Sequence, residues 1–144
     1  MSKDNLKFID NSDAIKVMMF KAAQECMIKA CLVVQGQGKA LAPTGETSAL
    51  RDTLDYDVSI QNGQIVGLVG SPLTYAVYVE FGTGEFAENG SGRKGGWGYK
   101  TPDGEWHFTR GAKPRQFLRP AFRENKDNII KIVGDHMGAT FDGK

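Results

Sequence analysis

His107 and His136 are the chain's only imidazoles, and neither has a second metal ligand at a recognised spacing, so each reads as a surface or structural residue. Cys26 and Cys31 sit five residues apart in a helical pattern. Their side chains diverge around the axis, which argues against an intrachain bridge and for two reduced core residues. Gly36-Gln-Gly-Lys39 brings glycine beside lysine, but a phosphate loop needs the wider G-x-x-x-x-G-K-[ST] spacing for its amides to wrap an anion, and Ala40 follows the lysine. No G-x-S-x-G or H-E-x-x-H is present. Glu80, among Tyr78, Val79 and Phe81, is the one candidate acid. A shielded carboxyl with a raised pKa can serve as a general acid. With no second catalytic group in view, a structural ion pair with Arg115 or Arg119 is the better reading. The chain is read as having no enzymatic activity, no cofactor and no metal.

The basic residues offer a different chemistry. Arg93, Lys94, Lys100, Arg110, Lys113, Arg115 and Arg119 face only Asp103 and Glu105 in the same stretch, and they alternate with Trp97, Tyr99, Trp106 and Phe108. That mixture can grip a nucleic-acid backbone and stack on bases. It is also the composition of the energetic centre of a protein interface, the reading favoured here because the arms look like ordered strands and the net charge is near zero. A third reading is a solvated hairpin whose aromatics pack on its own body.

The elements that must position these residues follow from the hydrophobic pattern. A chain of 144 residues, 40% hydrophobic and 24% charged, is long enough for one core, and one domain over 1–144 is expected. A net charge of +1 gives no bulk attraction to DNA or membrane, so such a contact needs a local patch. No apolar run approaches the ~18 residues of a membrane span, and the polar start lacks a signal segment. A loose arm is expected over residues 1–11. Asn11 or Ser12 then caps a helix whose stripe is Ile15, Met18, Met19, Ala22, Cys26, Ala30 and Val33, and which ends near Gly36. A short helical turn follows around Ser48 to Asp52. Leu54–Ile60 and Ile65–Gly70 read as strands, and Asn62-Gly63 between them supplies the positive φ angles of a tight hairpin. Tyr75–Phe81, preceded by Ser71-Pro72, is read as a short helix.

Residues 84–113 change character, with glycine too dense for a helix and aromatics too many for a linker. A protruding β-hairpin is expected there, with arms 96–100 and 105–109 and a turn at Pro102-Asp103-Gly104. A lone hairpin is marginal in water, so it leans on the body or on another subunit. Phe117–Met137 reads as a second helix, with Leu118, Phe122, Ile129, Ile130, Val133 and Met137 near one face, Pro120 in the first turn and Gly138 as its stop. The fold class is α+β: a small antiparallel or mixed sheet packed against an N-terminal and a C-terminal helix, with a long hairpin insertion.

Ala42-Pro43, Leu50-Arg51, Tyr75-Ala76, Tyr78-Val-Glu-Phe-Gly-Thr83, the tryptophan-containing insertion, and Pro114 with Phe117-Leu-Arg-Pro-Ala121 together resemble the tail-component family of long-tailed phages, also known as head-tail joining or tail-completion proteins. The family often has Thr-Gly two residues before Leu-Arg, where this chain has Thr47-Ser48-Ala49 and an extra residue after Pro43. That departure bears on the local turn. The resemblance implies a non-enzymatic virion part, made in the host cytoplasm. Its subunits form a ring, sixfold by the resemblance, that completes the proximal tail end and joins tail to head, with DNA passing non-specifically through the lumen. Stopper and tail terminator are the rival posts along the neck, and a nucleic-acid-binding accessory protein is the rival of another class. Its partners are further copies of itself and the adjoining neck and tail proteins. Contact is assigned to Arg93, Lys94, Trp97, Tyr99, Trp106, Phe108, Arg110, Arg115 and Arg119. Glu80, Gly82, Thr83, Phe117 and Pro120 are assigned as anchors at the base of the excursion.

Overall fold

The computed structural model describes residues 9–45 and 48–142. The elements run α1 (Ser12–Leu41), α2 (Ala49–Asp52), β1 (Asp55–Gln61), β2 (Gln64–Gly70), α3 (Ala76–Phe81), a 3-10 turn (Gly84–Phe86), β3 (Trp97–Lys100), β4 (Trp106–Thr109), α4 (Leu118–Glu124) and α5 (Lys126–Phe141). The class is α+β, with two separate two-stranded antiparallel sheets, β1-β2 and β3-β4. Of the loose arm expected over 1–11, residues 1–8 lie outside the described residues, as does Thr47 in the variant turn.

α1 is the central element. At 30 residues it is about 45 Å long, and β1, β2, α2, α4 and α5 all pack on it. Three sequence expectations about it need correction. Asn11 makes no side-chain cap; the carboxylate of Asp10 accepts the N–H of Ser12 instead. The helix also does not end near Gly36 but continues to Leu41. Gly38 is buried, and a Cβ there would lie 2.7 Å from Leu54 Cδ2 and within 4 Å of Leu118 and Ala121. Gly36, read as the stop, lies mid-helix with open space around it, and it is Gly38, two residues on, against which Leu54 and α4 pack closely. Finally, only Ala22, Cys26 and Ala30 of the predicted stripe are buried, together with Cys31, Val34 and Gly38. Ile15, Met18 and Met19 are exposed.

The small core groups Ala42, Leu50, Leu54, Ala76 and Phe117, with Val69, Leu73, Val79 and Leu118 packed against it. Phe117 and Leu54 are the largest wholly buried side chains. β1 and β2 pair in register from Asp55–Gly70 to Gln61–Gln64, and the reversal has φ 51° at Asn62 and 75° at Gly63, as a primed two-residue turn requires. The short helices α2 and α3 also form where the sequence placed them.

The C-terminal helix is two helices rather than one. At Asn125 the side-chain amide donates to the Ala121 carbonyl at 2.8 Å, competing with the backbone ladder and breaking it. α5 restarts at Lys126 and runs through Gly138 to Phe141. Gly138 is not a stop because Asp142 still donates to its carbonyl. α5 buries no residue fully. It is clipped to α1 by His136, whose Nδ1 lies 3.0 Å from Lys29 Nζ and Nε2 2.9 Å from Glu25 Oε2. An ammonium only donates, so Nδ1 accepts and Nε2–H donates to Glu25.

Candidate assembly interface and its anchor

Glu80 lies on the last turn of α3 and is 3% exposed. Its Oε2 accepts the N–H groups of Phe117 at 2.8 Å and Leu118 at 3.0 Å, while Oε1 accepts the Arg119 N–H at 3.2 Å and Arg119 Nε at 2.8 Å. The three amides open α4, and a helix start leaves such donors without intrahelical partners. Pro120, third in the helix, has no N–H to satisfy. A carboxylate 37 residues upstream thus does the work of a local cap. Burial pushes the Glu80 carboxyl up, but the bonds from Phe117, the Arg119 side chain, Leu118 and the Arg119 amide together hold it below its ordinary value. It is ionised with both oxygens occupied, the opposite of a general acid.

Arg119 links this anchor outward. Its guanidinium donates to Glu80 Oε1, to the Glu80 carbonyl at 3.0 Å and to both oxygens of Glu88 at 2.8 and 2.9 Å, which uses four of its five N–H bonds. It also lies over the Phe81 ring at 4.4 Å. The pairing with Glu88 first, then Glu80, raises its pKa further. Gln116 donates to Glu88 at 2.9 Å. Glu88 and Gln116 carry no sequence signal, because both are polar residues in glycine-rich or basic surroundings and only the fold brings them together.

The 84–113 excursion is closed at its base like a short ladder. Thr83 N–H donates to the Ala112 carbonyl at 2.9 Å, Glu85 N–H to the Arg110 carbonyl at 2.9 Å, and Ala112 N–H to Thr83 Oγ1 at 2.9 Å. Arg115 N–H donates to the Val79 carbonyl at 2.8 Å. Gly82 (φ 79°) and Gly111 (φ 116°) flank this closure, and a Cβ on Gly111 would run into the Thr83 carbonyl. Of the predicted anchors, Glu80, Gly82, Thr83, Phe117 and Pro120 therefore all lie at or beside the base.

Beyond the base, β3 and β4 pair from Trp97–Thr109 to Lys100–Trp106. Strand alternation puts Trp97, Tyr99 and His107 on one face and Lys100, Trp106 and Phe108 on the other. On the first face Tyr99 stacks on His107 at 5.5 Å, and Arg93 covers Trp97 at 5.7 Å. On the second, Trp106 is 74% and Phe108 66% exposed. Trp97 is half-buried, while Tyr99, Trp106 and Phe108 are exposed rather than buried against the body. Of the remaining predicted contact residues, Arg110 pairs with Glu85 at 3.7 Å, while Lys94 and Arg115 are exposed. Arg119 alone is committed inward.

Two further surfaces were not expected as contact sites. The first ten residues of α1, 12–21, are all exposed, including Ile15, Val17, Met18, Met19 and Phe20. Val17 and Phe20 lie off the Ile15-Met18-Met19 face, a sign visible in the sequence that more than one side of this turn needs cover. A groove of about 970 Å³ runs between α1, β2, α4 and α5, floored by residues such as Cys26, Met27, Val69, Phe122 and Val133. Among the described residues no three His, Cys, Asp or Glu side chains gather as a metal would need, and no helix is long and apolar enough to cross a membrane.

Residues 3–82 match the family model described as "Bacteriophage HK97-gp10, putative tail-component". Comparisons with curated proteins and with solved structures gave no match.

Proposed function

The chain belongs to the HK97-gp10-like family of phage tail components, and from that premise we propose that it is a structural subunit of the neck, forming a ring that completes the proximal tail end and joins tail to head. The observation that carries this reading is a fixed base under an uncovered tip. Glu80, Arg119 and Thr83 hold the excursion to the core, while Trp106 and Phe108 stand exposed at its far strand. Large aromatics on a pre-ordered support are what an interface centre needs, because little conformational entropy remains to be lost when the partner arrives. Arg119 belongs to the anchor in this reading. Contact falls to the arm's aromatics with Lys94, Arg93, Arg110 and Arg115 around them. A head-to-tail contact between such subunits closes a ring when the rotation permits, and DNA passes through its lumen.

The test is a phage carrying Trp106→Ser and Phe108→Ser. Both side chains are exposed, so the subunit folds as before; the expected particles are filled heads and separate tails. Normal joined virions overturn the assignment. Localised density along the neck separates completion ring, stopper and terminator. A duplex DNA titration across salt concentrations separates the ring from the nucleic-acid-binding alternative, for which tight binding with a steep salt slope is required.

A further inference from the structure

The exposed start of α1 and the apolar groove lie on the same chain, and each lacks what the other has. The start is continuous with the central helix. Ile15, Met18 and Met19 face one side, and Val17 and Phe20 turn away from them. A helix apolar on more than one side is stable when enclosed, not when laid on a flat surface. The groove offers such an enclosure, with α1 and β2 as one wall and α4 and α5 as the other. Its α5 wall runs from Lys126 to Met137, about 17 Å of helix, against about 15 Å for residues 12–21. The charges match at one end. Asp10 and Asp13 stand at the start of α1, Asp13 with Lys16 Nζ at 3.9 Å in an exposed pair, while Arg123 and Lys126, exposed and with no ion pair among the described residues, flank the groove at the α4-α5 break. The β3-β4 arm fits the groove less well, because Arg93, Lys94, Lys100 and Arg110 outnumber Asp103 and Glu105 and bring like charge to that rim, whereas over residues 10–21 Lys16 and Lys21 are balanced by Asp10 and Asp13.

We infer that residues 12–21 of one subunit insert into the α1-β2-α4-α5 groove of the next copy, with the Asp10-Asp13 end beside Arg123 and Lys126. The contact is heterologous, a knob of one copy in the socket of another, so it propagates around a ring. The recognition mode is an amphipathic helix in a groove. This rests on the ring reading above and adds to it the surface through which copies meet.

Mixing two variants tests it. One carries Ile15→Asp, Met18→Asp and Met19→Asp, the other Phe122→Asp and Val133→Asp; all five side chains are exposed in the single chain, and unchanged circular dichroism and melting confirm folding. Each variant alone is expected to lose self-association at least about a hundredfold, since each buried anchor contributes about tenfold. Mixed together, they restore one good interface per pair and give a 1:1 heterodimer that grows no further. If both variants still form the wild-type oligomer, this inference fails and the ring stands. If the wild-type chain is monomeric at high concentration and present as one copy per neck in the particle, the ring reading fails and takes the inference with it.

Discussion

Replacing Glu80 by alanine removes the acceptor for three main-chain amides and one guanidinium N–H. The Phe117 N–H is in the buried part of the site, and stranding it costs about 1–3 kcal/mol. The Leu118 and Arg119 amides are part-buried and can recruit water, so their loss is that of an N-cap, about 1 kcal/mol. Arg119 keeps Glu88 and is a third exposed, so its share is small. The sum, about 3 kcal/mol, lies at the low end of the range for breaking a buried pair. For a chain of this length that is a fall of about 6–12 °C in Tm, read by circular dichroism at pH 7. Glu80→Gln keeps the shape and one acceptor but turns an NH2 toward donors, and is expected to fall between wild type and Glu80→Ala. The pH dependence has a definite sign. The folded carboxyl is held below its ordinary value of 4.5, so the unfolded chain binds the extra proton and this stability is fully present above about pH 4.5. It is lost as pH falls through the folded value, and the gap between wild type and Glu80→Gln narrows over that range. A Glu80→Ala variant that melts within about 2 °C of wild type at pH 7 refutes the anchor.

Three further outcomes are expected. Gly111→Ala forces a side chain into a φ of 116° against the Thr83 carbonyl; hydrogen exchange at the Thr83, Glu85 and Ala112 amides speeds up by at least about tenfold while α1 stays protected. His136→Ala removes both bonds that clip α5 to α1, so α5 amides lose protection with a global cost of about 1 kcal/mol. Cys26 and Cys31 are buried thiols whose pKa burial raises. Their alkylation at pH 7 is expected to be at least about tenfold slower in the folded chain than in urea, and rapid native labelling counts against this packing.

The sequence by itself determined the features whose causes are local. Asn62-Gly63 dictates a primed turn, and the two strands follow from it. Pro102-Asp103-Gly104 between aromatic arms dictates β3-β4, and the short helices α2 and α3 appear where composition and breakers placed them. Glu80 was legible as a residue in need of a partner, because a carboxylate among apolar neighbours is costly unless paired. Tertiary structure alone decided what depends on distant residues. The glycines that suggest a helix stop near Gly36 lie inside α1, because Leu54 and Ala121 pack on Gly38. The cap of α4 comes from α3, and Glu88 joins Arg119 from 31 residues away. The same limit applies to Ile15, Met18 and Met19. Periodicity says that a face is apolar, but whether it meets the chain's own core or a neighbour's depends on what else the fold brings there, and among the described residues nothing buries these three.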